Sequence, residues 1–272
     1  MESMPNKLTE RFILAKNNGE KGFIPYIMGG DGGLDKLIPT IHYLEKLGAS
    51  AIEIGIPFSD PVADGPSIQA AGLRALEDGV TLANILEELK NSREDVSIPL
   101  IIMTYANPVL RMGIQSFAAK CRAASVSACI IPDVPLEEEQ VFKEALSKEG
   151  IVLIRLIPLT ADSNRMAKLC EDVEGFIYAV TINGTTGEKT QLNDVSFKEQ
   201  IDRLKRHTDC PIYAGFGISN AAMANQLYDY CDGIIVGSKI VSALHQNETQ
   251  ELESFIENLH RKKKQITSQS NC

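Results

Sequence analysis

The sequence predicts an α/β protein, a (β/α)8 TIM barrel that forms a single domain with an extra N-terminal helix. Eight short apolar segments rich in β-branched residues alternate with longer amphipathic segments along the 272 residues. Such apolar runs are typical of parallel strands buried on both faces. The length also suits one barrel, since these domains commonly run to about 250 residues. We therefore expect residues 1–260 to form the barrel and residues 261–272 to form a polar, basic, frayed tail.

The predicted elements follow one another in a regular order. An amphipathic segment, Met4–Asn18, comes first and should plug one end of the barrel or pack on its side, through a face that carries Leu8, Phe12 and Ala15. The predicted strands are Phe23–Met28, Ala51–Gly55, Leu100–Tyr105, Ala128–Pro132, Val152–Ile157, Phe176–Thr181, Ile212–Ala214 and Gly233–Val236. The predicted helices are Leu34–Leu47, Ser67–Glu77, Leu82–Lys90, Ile114–Ala124, Glu137–Lys148, Ser163–Cys170, Phe197–His207, Asn220–Tyr228, Ile240–Leu244 and Thr249–Leu259.

An open doubly wound sheet is the alternative fold for this alternation of strands and helices. That fold would be expected to carry a G-x-G-x-x-G turn directly after the first strand. Here residues 29–33 read Gly-Gly-Asp-Gly-Gly, which does not match that pattern. The barrel is therefore favoured over the open sheet.

The charge and the apolar pattern argue against several partners. A formal net charge of −9 and a pI of about 5.1 predict no nucleic-acid binding, because neutralising phosphates requires a basic surface. The basic run at residues 261–264 is interpreted as a solvated charged segment. No apolar run approaches the roughly 18 residues of a membrane span, and Met1–Glu10 lacks the apolar core of a secretory signal. We expect a cytoplasmic protein without membrane contact.

Cysteine and histidine are distributed in a way that predicts no metal site. The six cysteines are scattered without a C-x-x-C pair, which indicates reduced thiols. The four histidines fall within predicted helices or directly after their last residue, where solvated or helix-end positions are the usual interpretation. Neither a metal ligand set nor a histidine general base is therefore expected.

The candidate site lies at the C-terminal ends of the strands, where barrels of this type place their active sites. Glu53 alternates with Ile52 and Ile54 in the second strand, so its side chain should point into the barrel. Burial there would raise its pKa and suit a general acid or base, although a core glutamate paired with Arg155 is the alternative. Asp64 in the next loop would share a substrate with Glu53 or serve only as a turn residue before a helix.

Two glycine-containing loops predict a phosphate site. Residues 214–219 follow the seventh strand and residues 236–239 follow the eighth, the two places where barrels often bind phosphate. Glycines let backbone N–H groups approach an anion, and a following helix start attracts it. Glycine after a strand is common by itself, so the prediction depends on both loops together. The loop at residues 181–194 would either close over a ligand or form an exposed connection.

The residue types left at the strand ends narrow the chemistry. The sixth strand contains no lysine, which disfavours an imine intermediate, and metal-assisted aldol chemistry lacks its histidines. The chemistry that remains is acid–base catalysis by carboxylates, which would cleave or isomerise a phosphorylated substrate.

The stretch Ile52–Gly65, IEIGIPFSDPVADG, resembles the signature of the tryptophan synthase alpha chain family. Residues 103–108, 132–135 and 215–219 are similar to shorter motifs of that family, and the likeness covers about residues 8–259. The resemblance implies retro-aldol cleavage of indole-3-glycerol phosphate to indole and glyceraldehyde 3-phosphate, in L-tryptophan biosynthesis. It also implies an α2β2 heterotetramer with a β chain that carries PLP, and no cofactor in this chain.

The resemblance further implies roles for individual residues. Glu53 would be the general acid/base, and Asp64 would be an ionised carboxylate that hydrogen-bonds the indole N–H, with a raised pKa for Glu53 and a low one for Asp64. The implied substrate-binding residues are Tyr26, Met103, Tyr105, Tyr178 and Thr186. The implied phosphate-binding residues are Gly187, Gly217, Gly237 and Ser238.

The chain departs from the family pattern in two loops, and three other functions stay open. The turn at residues 29–33 lacks the usual Gly-Asp-Pro and should leave Asp31 in place while loosening the turn. The loop at residues 182–187 has no arginine and has Thr185 where a valine is common. The other functions are a stand-alone indole-3-glycerol-phosphate lyase, another phosphate-binding barrel such as an isomerase, and a non-catalytic barrel that activates a partner.

Overall fold

Nine strands form one nearly closed parallel barrel in the computed structural model, which describes residues 6–180, 194–215, 217–218 and 220–270. The strands are β1 (Gly22–Met28), β2 (Ile52–Gly55), β3 (Leu100–Met103), β4 (Val126–Ile130), β5 (Val152–Leu153), β6 (Arg155–Pro158), β7 (Ile177–Val180), β8 (Ile212–Gly215) and β9 (Gly233–Val236). Their spatial order is β5-β4-β3-β2-β1-β9-β8-β7-β6, and neighbouring strands pair in parallel. The predicted barrel is confirmed.

The fifth predicted strand, Val152–Ile157, is divided into β5 and β6. β5 pairs with β4, whereas β6 pairs with β7 on the other side. Ile154 lies between the two strands, and its N–H donates to the carbonyl of Cys129 at 2.8 Å. Because the chain passes from one neighbouring strand to the other at Ile154, nine strands form where eight were predicted.

The helices cover the outside of the barrel, apart from the first one. They are α1 (Lys7–Asn17), α2 (Leu37–Lys46), α3 (Pro66–Glu77), α4 (Leu82–Asn91), α5 (Ala106–Met112), α6 (Ile114–Ala123), α7 (Gln140–Lys148), α8 (Ser163–Cys170), α9 (Asp194–Lys205), α10 (Ala221–Tyr230), α11 (Ser238–His245) and α12 (Thr249–Ser270). A 3-10 turn at Leu34–Lys36 precedes α2, so the single helix predicted there is divided in two.

Two helices differ from the prediction for identifiable reasons. α5 was not predicted, because its seven residues include a proline and are too few to show an apolar period. α12 continues to Ser270, so the predicted helix end at Leu259 is wrong. Its last turns are polar and carry no apolar signal, but lysine, arginine and glutamine favour helical backbone. The segment predicted as a frayed tail is therefore helical up to Ser270.

The first helix closes the N-terminal end of the barrel. Leu8 and Phe12 are buried in the same apolar cluster as side chains from inside the barrel. Phe12 stacks on Phe176 with ring centroids 5.4 Å apart and contacts Tyr213 at 4.9 Å. Asn6 caps α1 through its side-chain oxygen and donates its amide to the carbonyl of Ser127 at 3.0 Å. α1 therefore plugs the end of the barrel, which is one of the two predicted placements, and does not pack on its side.

A second and larger apolar layer lies between the outer faces of the strands and the surrounding helices. Inside the barrel, the smaller apolar cluster that contains Phe12 fills one end, and polar side chains line the other end. Where the structure describes the chain, no helix is long and apolar enough to cross a membrane, and no three His, Cys, Asp or Glu side chains are grouped to hold a metal ion.

Candidate active site

A cavity of about 50 Å³ opens at the C-terminal ends of the strands. Residues far apart in the sequence meet there because every strand of a parallel barrel ends at the same face. The lining consists of Tyr26, Glu53, Ala63, Asp64, Ile68, Met103, Tyr178, Gly215, Gly217, Ile235, Gly237 and Ser238. Eight of the eleven predicted site residues are in this set; the exceptions are Tyr105, Thr186 and Gly187. Thr186 and Gly187 lie outside the described residues.

Glu53 is a fully buried carboxyl group, and neither of its oxygens has a hydrogen-bond partner among the residues that the structure describes. It lies on β2, opposite Tyr26 of β1 and Ile101 of β3 in the strand register. Burial raises its pKa to about 8, and the nearby charge of Asp64 adds to that rise. A carboxyl group in this state holds a proton near neutral pH and is able to deliver it to a ligand in the cavity.

The alternative that Arg155 pairs with Glu53 is wrong. Arg155 forms a bidentate ion pair with Glu139, with one of the two bonds at 3.1 Å. A further guanidinium nitrogen donates to the carbonyls of Leu169 and Glu171, each at 2.7 Å. All three guanidinium nitrogens thus bond to partners that do not line the cavity.

Asp64 lies in the loop between β2 and α3 and is also buried. Its N–H donates to the carbonyl of Pro61 at 3.0 Å, and its own carbonyl accepts from the Gln69 amide at 2.8 Å. Gly65 caps α3 in an extended conformation, and Pro66 is the first helical residue. Asp64 is therefore a turn residue before a helix, and its side chain also lines the cavity.

The expectation of a low pKa for Asp64 is wrong. Burial raises the pKa of this carboxyl to about 6, although a hydrogen bond from the Tyr105 hydroxyl opposes the rise. The desolvation cost exceeds the stabilisation that one donor provides to the ionised form. Asp64 still ionises at a lower pH than Glu53, so the two carboxyls differ in the predicted direction.

Two tyrosines fill the cavity above glycines of the neighbouring strands. A Cβ atom added at Gly55 would lie 1.8 Å from the Tyr26 hydroxyl, and one added at Gly215 would lie 2.0 Å from the ring of Tyr178. Larger residues at these glycines would displace the rings. Burial raises the pKa of both phenols well above the ordinary value, so each hydroxyl stays protonated and is available as a donor.

The far side of the cavity is suited to an anion. Gly237 precedes α11, and Ser238 is the first residue of that helix. Within the described part of the chain, the buried Ser238 hydroxyl has no hydrogen-bond partner. A helix N-terminus presents free N–H groups and a partial positive charge, and Gly217 contributes a further side-chain-free edge.

The structure adds one polar contact beside the site that was not predicted, and it places one predicted site residue outside the cavity lining. Asp31, which the loosened turn was expected to leave in place, forms a bidentate ion pair with Arg74 of α3 at 2.7 and 2.8 Å. Tyr105 is buried but lies behind the loop that carries Asp64 rather than among the cavity residues. The sequence contains one weak signal for the pair of Asp31 and Arg74. Arg74 is an isolated arginine in a predicted amphipathic helix, and Asp31 is a carboxylate that follows a predicted strand.

The chain is similar to known proteins along most of its length. The family model described as "Tryptophan synthase alpha chain" matches residues 12–270. A tryptophan synthase alpha chain of Bacillus thuringiensis subsp. konkukian is 45% identical over 248 residues, which cover 91% of this chain and 96% of the relative. One of Bacillus mycoides is 44% identical over 247 residues, 91% of this chain and 95% of the relative.

Solved structures of two organisms share the fold at lower identity. A chain of Mycobacterium tuberculosis tryptophan synthase superposes with a TM-score of 0.86 at 30% identity, over 95% of this chain and 98% of that chain. Tryptophan synthase subunit alpha of Legionella pneumophila str. Paris gives a TM-score of 0.86 at 28% identity, over 96% and 100% of the two chains.

Proposed function

This chain belongs to the tryptophan synthase alpha chain family, and we propose that Glu53 and Asp64 together carry out its reaction in the cavity at the strand ends. The chain acts as an alpha subunit in tryptophan biosynthesis and cleaves indole-3-glycerol phosphate, which is a carbon–carbon lyase reaction. The observation that supports the assignment of residues is the pair of buried carboxyls lining one cavity, one of them without a hydrogen-bond partner among the described residues.

Glu53 supplies and then removes a proton. The protonated carboxyl, whose pKa is raised to about 8, donates its proton to C3 of the indole ring. The ring nitrogen becomes positively charged, and the bond between C3 and the glycerol chain is weakened. The Glu53 carboxylate then accepts the proton of the adjacent glycerol hydroxyl. The C–C bond breaks, its electron pair returns to the ring, and indole and glyceraldehyde 3-phosphate are released.

Asp64 stabilises the charge that develops on the ring. Its carboxylate accepts the indole N–H and faces the nitrogen that becomes positive when C3 is protonated. In a buried cavity this attraction is stronger than it would be in water. The carboxylate has to be ionised for this role, which fits its lower pKa of about 6.

The remaining cavity residues orient the substrate. Tyr26, Met103 and Tyr178 contact the indole and glycerol parts, and the phosphate binds at Gly217, Gly237 and Ser238 beside the start of α11. The family resemblance adds Thr186 and Gly187 to these two groups, outside the described residues. Tyr105 has another role, developed below.

The partner is a tryptophan synthase β chain, and the assembly is an α2β2 heterotetramer. This proposal is supported by family membership, which implies a β-chain partner. The chain itself uses no cofactor, and PLP belongs to the β chain. A cytoplasmic location stays a prediction from the sequence.

Indole release from indole-3-glycerol phosphate tests this function directly. The chain contains no tryptophan, so it adds no indole fluorescence of its own to that of substrate and product in the assay of the purified chain. We expect slow release by the chain alone and a large stimulation by a β chain. Full activity alone with no stimulation would instead support the stand-alone lyase.

Glu53→Gln and Asp64→Asn test the residues, with Glu87→Gln on the exposed face of α4 as the matched control. We expect losses of at least about a hundredfold for both site variants and none for the control. Unchanged cleavage by Glu53→Gln would remove Glu53 from the mechanism. A wild-type chain that stimulates a β chain but releases no indole would support the non-catalytic barrel.

A further inference from the structure

Tyr105 connects the third strand to the loop that carries Asp64. It follows the end of β3 and is the residue that precedes the first turn of α5. Its ring is buried and contacts the ring of Phe58, with centroids 5.3 Å apart. Phe58 belongs to the same loop as Asp64, so the Tyr105 ring supports that loop from behind.

The Tyr105 hydroxyl bonds to two consecutive residues of the loop. It accepts the N–H of Ala63 at 3.0 Å, and its hydrogen bonding to the neighbouring Asp64 side chain lowers the pKa of that carboxyl. A hydroxyl has one donor and two acceptor positions, so both bonds form at once without competition. The Tyr105 hydroxyl thus contacts both the backbone of Ala63 and the side chain of Asp64.

Asp133 in turn holds the start of α5. One of its carboxylate oxygens accepts the N–H of Ala106, the first residue of α5, at 2.9 Å. Tyr105 is in an extended conformation and makes no side-chain cap of its own, so the cap comes from the loop after β4. This bond determines the direction in which the chain leaves Tyr105. Asp133 is itself exposed at the rim of the barrel.

We propose that Tyr105 is a positioning residue that orients Asp64 toward the indole N–H, and that Asp133 keeps Tyr105 in place by capping α5. The proposal rests on the function proposed above for Asp64. It places a continuous set of contacts between an exposed carboxylate at the rim and a buried carboxylate in the cavity. It also explains why Tyr105 is absent from the lining of the cavity as the structure describes it, although the family resemblance assigns it to the substrate.

Tyr105→Phe tests the hydroxyl while keeping the ring contact with Phe58. The charged and titratable groups near Asp64 are Glu53 of β2, Tyr26 of β1, Tyr178 of β7 and Tyr105 itself. The substitution removes the Tyr105 hydroxyl, whose hydrogen bond lowers the pKa of Asp64, so that pKa should rise. Carboxyl 13C NMR titration of the full, ligand-free chain measures this shift without any activity. An unchanged pKa of Asp64 would overturn the proposal.

Kinetics of the same variant supply a second readout. We expect kcat to fall about tenfold or more, because a hydrogen bond to a charged group is lost, and the acid limb of the pH–rate profile to move to higher pH. Tyr43→Phe is the matched control, since its hydroxyl contacts Glu253 away from the cavity and should affect neither quantity. A wild-type chain without cleavage activity would refute the function, whereas the NMR titration would still decide the positioning role.

Asp133→Asn and Asp133→Ala test the cap. Asparagine retains an oxygen that accepts the Ala106 N–H, so this variant should stay close to wild type, whereas alanine should change kcat and the pKa of Asp64 in the same direction as Tyr105→Phe. Glu138→Ala removes another exposed carboxylate from the same loop and serves as the control. Equal behaviour of the alanine and asparagine variants would show that Asp133 does not act through its oxygen.

Discussion

Glu53 and Asp64 occupy one cavity but differ in what contacts their oxygens. Glu53 is fully buried and has no hydrogen-bond partner in the part of the chain that the structure describes, so its neutral form is strongly favoured. Asp64 receives a hydrogen bond from Tyr105, which stabilises its ionised form against the same desolvation. Two carboxyls of similar intrinsic acidity thereby take opposite protonation states between their two pKa values.

This difference predicts a bell-shaped pH dependence of kcat/KM. The active form has Asp64 ionised and Glu53 protonated, so activity should rise through about pH 6 and fall through about pH 8. The measurement is indole release at low substrate concentration across pH 5 to 10. A rate that keeps increasing above about pH 9 would contradict protonated Glu53 as the acid.

α1 illustrates how an added element completes the barrel. The nine strands leave the N-terminal end of the barrel open, and the Phe12 side chain fills it by packing on Phe176 and Tyr213. Asn6 then fixes the helix start through hydrogen bonds to the carbonyls of Ser127 and Gly150. The helix is thus part of the core rather than an appendage.

Phe12→Ala should therefore destabilise the chain. Removing a buried aromatic side chain leaves a cavity and typically costs about 3–5 kcal/mol in the free energy of unfolding. Ile13→Ala on the same helix is the matched control, because Ile13 is 44% exposed and should change stability by less than about 0.5 kcal/mol. Urea unfolding followed by circular dichroism measures both. Similar values for the two variants would show that α1 does not plug the barrel in solution.

At the scale of the whole molecule, the buried Glu53 carboxyl of the active site lowers the stability of the fold. The barrel buries a carboxyl that has no hydrogen-bond partner among the described residues. Burial of such a group lowers the free energy of unfolding. The folded chain keeps a proton on Glu53 up to about pH 8, whereas the unfolded chain loses it near pH 4.5. Unfolding releases that proton, so the contribution of Glu53 to stability becomes more unfavourable as the pH rises between these values.

Glu53→Gln should consequently be more stable than the wild type at alkaline pH. Glutamine has nearly the same shape and no charge, and we expect the difference in the free energy of unfolding to grow by about 2–5 kcal/mol between pH 5 and pH 8.5. Urea unfolding of the isolated chain at a series of pH values measures it, with Glu87→Gln as the control. A difference that is independent of pH would show that the folded-state pKa of Glu53 is not raised.

Much of the fold and part of the site could be predicted from local patterns. The alternation of apolar strands and amphipathic helices predicts the barrel, and the period of two along β2 predicts that Glu53 faces inward. The glycines before α11 and the turn chemistry at Asp64 are likewise short-range features. These properties depend on residues within a few positions of each other, so the sequence by itself determines them.

The tertiary structure alone decided the environment of these residues. The Tyr105 hydroxyl meets Ala63 across 42 positions of sequence, and Arg74 meets Asp31 across 43. The choice of Glu139 rather than Glu53 as the partner of Arg155, and the raised pKa of Asp64, also depend on which groups the closed barrel brings together. Desolvation and hydrogen bonding are set by neighbours in space, and only the folded chain specifies those neighbours.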